Sequence, residues 1–381
     1  MADTRIIQDE TFADDNIVTA EDETLFVASQ WKLVWWKFRK HKLAVASVII
    51  IFIIYLLGIF AEFISPYELH ERHVKYVHMQ PTRIRIFHKG KLHRPFVYGM
   101  TREINMETLR KTYTPDKTKV LPVKLFSRGE PYEFWGAWDT DLHLFGIEGE
   151  GMIALLGTDK MGRDMFSRIL HGARVSLSIG FIGVALSFIL GLVMGGISGY
   201  VGGTADAIIQ RIIEVLRSMP TLPLWMALSA ALPPRWPPMR VYLGITIILS
   251  IIGWTGLARV VRGKLLALRE EDFVTAARLC GTSRGRIIRR HLLPSFMSHL
   301  IVSITIAVPS MILGETTLSF LGLGLRPPVT SWGVLLQEAQ NVRTVALHPW
   351  LLLPVFFVIV TVLVFNFMGD GIRDAADPYS G

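Results

Sequence analysis

Ser198 sits in the quartet GISG (Gly196–Gly199) inside a long apolar stretch, where a serine nucleophile would need a histidine base at its own depth in a membrane. His171, His299 and His348 all fall at predicted helix ends, so no such base is at hand. The glycines have a plainer use: Gly191, Gly195 and Gly199 recur every four residues and let a second helix approach closely. The stretch GLARVVRGKL (Gly256–Leu265) comes nearest to a phosphate-binding loop, but its glycine spacing is wrong and it lacks the Ser or Thr that holds magnesium. No two histidines stand at metalloprotease spacing. Cys280 is the single cysteine, which excludes an internal disulfide and any cysteine-based zinc or iron–sulfur centre and suits a small buried thiol. No catalytic residue, metal site or cofactor is expected in this chain.

One segment carries an unusual set of residues. DFVTAARLCGTSRGRIIRRHLLP, residues 272–294, is rich in arginine yet lies between two apolar stretches. On a helix, Phe273, Ala276, Ala277 and Cys280 fall on or near one apolar face while Arg278 points elsewhere. Gly281 permits a sharp turn and Ser283 can cap a second short helix. Ile287, Ile288 and Leu292 give that second helix an apolar side of its own, and Pro294 stops it. A basic loop resting on anionic lipid would keep the arginines but has no use for paired alanines and a glycine turn. The pattern points to docking against a partner.

The elements that must position this segment are membrane spans. Half of the 381 residues (51%) are apolar, far above a soluble enzyme of this length, and the net charge of +8 then belongs in cytoplasmic loops, which removes nucleic acid as the expected partner. A span needs roughly 20 apolar residues. Six are predicted: Leu43–Ile64, Arg174–Tyr200, Ile208–Leu232 with an interruption at Pro220 and Pro223, Val241–Ala258, Met297–Leu313 and Trp350–Met368. The first is too long and starts too far from the N-terminus for a cleaved signal peptide. Ahead of it, WKLVWWKFRKHKLA mixes Trp31, Trp35 and Trp36 with five cations, as in a short helix lying among anionic lipid headgroups.

That cation cluster places the N-terminus in the cytoplasm, and six spans return the C-terminus there. Residues 259–295 agree, with nine Arg or Lys against three acids. The chain therefore divides into a cytoplasmic tail and interfacial helix (1–42), a first span (43–64), an extracytoplasmic insertion (65–157) and a helical core (158–381) holding the basic connection 259–295. The insertion is basic, but long segments translocate regardless of charge. In it, RIRIFHKGKLHRPFVYG reads as a hairpin around Lys89–Gly90. Trp135 and Trp138, in EFWGAWDTDLHLFG, read as core residues, as a rim touching a soluble partner, or as an aromatic platform for a solute.

Two groups of residues carry a family resemblance. In the 272–294 segment, Ala276, Ala277, Gly281, Leu293 and Pro294 fall on the spacing of the EAA signature found in permease subunits of ATP-binding-cassette importers, with Thr275 at the glutamate position and His291 at a hydrophobic one. LGTDKMGRDMFSRILHGARVSLSIG from Leu156, GGISGYVGG from Gly195, LSFLGLGLRPPVTSWG from Leu318 and GDGIRDAADPYS from Gly369 match further. Over residues 31–65 and 156–381 the chain resembles the C-type permease of the dipeptide/oligopeptide importers. The resemblance implies an all-α type I permease in a bacterial inner membrane, partnered by a second permease, a paralogue, two cytoplasmic ATPases that use ATP and magnesium, an extracytoplasmic solute-binding protein, and lipid. It implies oligopeptides or oligosaccharides as cargo. Asp272, Phe273, Thr275, Ala276, Ala277, Arg278, Gly281, Arg289, Arg290, His291 and Pro294 become candidates for ATPase coupling. Asp159, Arg163 and Asp164 ahead of the second span, with Trp135 and Trp138, are candidates for meeting the binding protein. Pro220 and Pro223 free backbone carbonyls that must face protein or a cavity, and Glu315 and Thr316 are the polar intramembrane residues; these four are candidates for the path. A stand-alone secondary transporter is the alternative, but it needs ionisable residues deep in its spans, which are nearly absent.

Overall fold

Apolar stretches become helices here because a helix pairs its backbone N–H and C=O groups internally, which hydrocarbon requires. The computed structural model describes residues 30–376 apart from 89–90, 105, 107–110, 148 and 150. The N-terminal tail, the Lys89–Gly90 turn and the end of GDGIRDAADPYS lie outside the described residues. Helix α1 (Gln30–Lys40) leads into α2 (Lys42–Ile59), where His41 caps the new helix by accepting the Ala44 N–H at 3.1 Å. Four strands follow: β1 (Arg85–His88), β2 (Lys91–Ile104), β3 (Lys111–Phe134) and β4 (Trp138–Ile147). The helical core is α3 (Met165–Val201), α4 (Gly203–Ser218), α5 (Thr221–Ala230), α6 (Pro238–Leu268), α7 (Asp272–Leu279), α8 (Met297–Phe320), α9 (Trp332–Gln337) and α10 (Leu353–Ala376). By length and composition α2, α3, α6, α8 and the segment Pro349–Ala376 are long and apolar enough to cross a membrane.

The predicted third span is two helices. Pro220 cannot continue a helix, and the residue before it, Met219, is extended (ψ 139°), so α4 stops at Ser218. Pro223 breaks nothing, because it lies in the first turn of α5, where its missing N–H would have had no partner. Packing shows how the pair is used. A Cβ added to Gly191 would meet Leu257 and Trp254, one on Gly195 would meet Ala258 and Val261, and one on Gly199 would meet Arg262 and Leu265, all at 3.0 Å or less. The residue numbers rise together, so α3 and α6 run parallel in close contact. The chain between them must return across the bundle, and α4 with α5 makes that crossing.

The remaining helices alternate. Gly180 and Gly183 of α3 face Ile312 and Met311 of α8, Gly369 of α10 faces Ile306, and Gly371 faces Ala44 of α2, each pair antiparallel. Among the described residues, the five long apolar helices and the α4–α5 return make six crossings, with α1, the 269–296 connection and the end of α10 at one end of the bundle and the sheet at the other. The spans α6, α8 and α10 run past their predicted ends, since the helices continue beyond their most apolar part. The core lies between α3, α6, α8 and α9, where Leu177, Ile179, Ile245, Leu249, Ile312 and Trp332 are fully buried.

The sheet is antiparallel in the order β1-β2-β3-β4. β1 and β2 pair through Phe87↔Leu92 and His88↔Lys91, as the hairpin reading expects. The long strand β3 pairs its first half with β2 (Ile104↔Lys111 to Phe96↔Pro122) and its second half with β4 (Val123↔Ile147 to Phe134↔Trp138).

Candidate functional site

The 272–294 segment is clamped on one side and bare on the other. Val274 and Ala277 of α7 face inward and join Val261 and Leu265 of α6, together with Ile287, Leu292, Phe296 and Leu300. Gly281 (φ +72°) turns the chain, with Gly281 N–H donating to Arg278 O and Thr282 N–H to Ala277 O. A short helical turn (Arg284–Ile287) widens into an i→i+5 turn over Ile288–Leu292, and Leu293–Ser295 lead into α8. The outward face carries Phe273 (43% exposed), Ala276, Leu279 (85% exposed), Cys280, Arg289 and Arg290, with Asp272, Thr275, Gly281 and Pro294 also exposed and His291 half-buried.

Two expectations need correction here. Ala277 lies on the clamped face rather than with Phe273 and Ala276, because helical spacing puts it beside Val274. Cys280 is exposed rather than buried. Arg278 is exposed, and its guanidinium lies 5.7 Å from the Tyr200 ring at the end of α3 and donates to Arg269 O at 3.1 Å. It ties α7 to α3 and α6.

Directly behind this clamp sits a fork that the sequence reading missed. Arg262 of α6 donates Nε and Nη2 to the two oxygens of Asp206 in α4, both at 2.6 Å. Ser198 Oγ also donates to Asp206 and accepts from Gln210 at 3.0 Å, so this serine is spent in the joint between α3, α4 and α6.

A cleft of about 1510 Å³ opens beside these helices. Ser187, Trp225, Gly253, Ser303, Ser310 and Met311 line it, and Lys264, His299 and Arg373 stand toward its α7 end. The four path candidates do not line it. Pro220 and Pro223 lie exposed at the α4–α5 break. Glu315 is completely buried and accepts hydrogen bonds from Ser331 Oγ (2.6 Å), Ser319 Oγ (2.7 Å) and Ser176 Oγ (3.2 Å), while Thr316 is buried beside it. The same Ser176 oxygen accepts from Trp332 N–H at 3.1 Å, and the Trp332 indole donates to Ile169 O at 3.1 Å. Glu315 therefore pins α9 between α3 and α8 and is sealed from solvent.

The charged residues ahead of α3 are also inside the protein. Asp159 accepts from Met161 N–H (2.8 Å), Arg163 N–H (2.9 Å) and Arg163 Nε (2.6 Å), and pairs with Arg168. Glu338 lies 3.7 Å from Arg163 and 3.8 Å from Arg168. Asp164 caps α3, accepting Ser167 N–H and Oγ at 2.8 Å; burial pushes its carboxyl up to about 6. Asp159, Arg163 and Asp164 thus hold the sheet-end loops together and are not surface contacts for a soluble partner. Lys160 keeps its ammonium more than half exposed. Trp135 and Trp138 are exposed at the β3–β4 hairpin tip beside the end of α2, not in a core.

A six-crossing bundle with a cleft, a rigid cap at one end and a half-clamped amphipathic segment at the other defines the membrane subunit of a transport machine. Residues 187–379 match the family model described as binding-protein-dependent transport system inner membrane component, and residues 29–81 match the N-terminal TM domain of oligopeptide transport permease C. The chain belongs to this family and is an inner-membrane permease subunit of an ATP-binding-cassette importer. It is 31% identical to the oligopeptide transport system permease protein OppC of Bacillus subtilis over 92% of this chain and 90% of that one. It is 42% identical to the dipeptide transport system permease protein DppC of the same organism over 58% of this chain and 68% of that one. With OppC of Haemophilus influenzae the identity is 43% over 58% of this chain and 69% of that one.

Proposed function

We propose that the chain forms half of the translocation path of a bacterial peptide importer, moved by ATPase subunits that dock on residues 272–294. One observation carries the reading: Val274, Ala277, Ile287 and Leu292 fasten this segment to the helix ends while Phe273, Ala276 and Leu279 stand bare beside Arg289 and Arg290. Apolar side chains held out on a rigid base are what a groove on a partner needs. Closure of the ATPases then moves α7 as a body. The Arg278–Tyr200 contact and the Asp206–Arg262 fork pass that motion to α3, α4 and α6. The chain itself performs no catalysis, and ATP and magnesium are used by the ATPase subunits.

A second permease, a paralogue, completes the path, and an extracytoplasmic binding protein delivers the cargo. The cation excess of residues 259–295 supports a cytoplasmic position for that end and for both termini. Peptides are favoured over oligosaccharides because the relatives above are permeases for dipeptides and oligopeptides. The test is affinity purification of the chain from its native membrane, with and without Phe273→Asp. The wild type is expected to bring down an ATPase, and the variant to lose most of it at unchanged thermal stability; equal recovery from both sinks the docking reading.

A further inference from the structure

We infer that the tip of the β3–β4 hairpin is a membrane anchor, resting its aromatic side chains in the headgroup region of a phospholipid bilayer beside α2. The argument begins with the level at which the tip sits. α2 ends at Ile59, and just there Arg174 donates to Gly58 O (3.0 Å) and Ile59 O (2.9 Å) while pairing with Glu62 (2.6 Å). An ion pair at the end of an apolar span marks where hydrocarbon gives way to the polar interface. The Trp135 indole donates to the same Ile59 carbonyl at 2.9 Å, so the hairpin tip is tied to that boundary.

The tip is built for this contact. Trp135 has φ +54°, a conformation that a bulky residue rarely adopts, and its ring lies 6.1 Å from Phe60 and 4.9 Å from Phe134. Trp138 (63% exposed) and Trp135 then stay open on the outside of the tip, and Leu125 and Phe126, also exposed, lie further along β3, where Leu125 is opposite Phe145 and Phe126 is beside Phe63. They continue the exposed face of α2, where Phe52, Leu56, Ile59 and Phe60 follow one another at helical spacing. One apolar strip therefore runs from a membrane span onto the hairpin. Indole rings pair an apolar body with a polar N–H and favour this interface. Residues 129–147 contain acids at 130, 133, 139 and 141 and no Lys or Arg, so the attraction is to the rings and not to anionic headgroups.

This inference rests on α2 spanning the membrane and not on the coupling role of residues 272–294. The test uses the assembled transporter in phosphatidylcholine vesicles, with Cys280→Ser and a nitroxide placed at Trp138→Cys, at Phe126→Cys, or at the aqueous control Lys117→Cys. Collision with oxygen is compared with collision with a water-soluble nickel chelate. Positions 138 and 126 are expected to favour oxygen and position 117 the chelate, at both low and high salt. A preference for the chelate at 138, with or without protection by the binding protein, overturns the anchor. So does inaccessibility to both quenchers, which would mean a protein neighbour covers the tip.

Discussion

The two ends of the bundle are finished in opposite ways. At the sheet end, Trp332, Ser331, Glu315 and Asp159 are completely buried, and hydrogen bonds run from α9 to both α3 and α8. At the other end, α7 shows the bare side chains of Phe273 and Leu279 and is followed by an irregular wide turn. A cap that is packed and hydrogen-bonded has one arrangement, and disturbing it costs stability. A segment fastened on one face only keeps the other for a partner, so disturbing that face leaves the fold alone. The contrast assigns rigidity to one end and transmission to the other.

The largest expected effect comes from breaking the cap. Trp332→Ala removes a fully buried indole and its hydrogen bond to Ile169 O, and a large-to-small change of this kind costs about 3–5 kcal/mol. Thermal unfolding of the purified chain in detergent should move down by many degrees. A shift no larger than that of a surface substitution would show that α9 is not the keystone of the sheet end.

A smaller effect, and one that depends on pH, is expected at Asp164. Its carboxyl lies at about 6 in the folded protein, above the usual value of 3.8, because burial penalises the charged form. The unfolded chain therefore gives up this proton first. The associated stability is fully present below about pH 4 and is lost as pH rises through about 6, an effect of at most about 3 kcal/mol. Asp164→Asn keeps an oxygen to cap α3 and removes the titration. Melting curves of the two proteins should come together below about pH 4 and separate toward pH 8, with the variant the more stable. Half-buried His73 and His78, whose pKa values are lowered chiefly by burial, oppose this trend on acidification in both proteins, so the difference between them isolates Asp164. A variant that loses stability at pH 8 would mean that the charged carboxylate is held by the N-terminus of α3.

The elements of this contrast were unequally legible in the sequence. Apolar runs near 20 residues, glycines every four residues and a proline that stops a helix are local signals, and they led to the spans, to a close helix contact on α3 and to the α4–α5 break. The two-part form of residues 272–294 was readable for the same reason. The joints were not. Arg262 and Asp206 stand 56 residues apart and Trp332 and Ile169 163 apart, and no periodicity links such pairs. Glu315 was visible as a costly carboxylate, but only packing shows that three serines enclose it. Asp159, Arg163 and Asp164 looked like surface charges because charge in a loop is usually solvated; here Arg168 and Glu338 complete a buried network that no short window contains.

The smallest expected change in stability is the one that best sharpens the comparison. Leu279 is 85% exposed on the bare face of α7, so Leu279→Ser removes almost no buried surface and should alter stability by no more than about 0.5 kcal/mol. Val274, one helical face away, is fully buried and supplies the matched control: Val274→Ser should cost clearly more. If the outward face exists for docking, the Leu279 variant should nevertheless lose transport and retain less ATPase, whereas substitution of another exposed leucine on the sheet, Leu92, should change neither. A Leu279 variant that transports normally would shift the docking energy onto Phe273 and the arginines. A Leu279 variant that melts early would show instead that α7 is packed on both faces, and the distinction between the two ends would be lost.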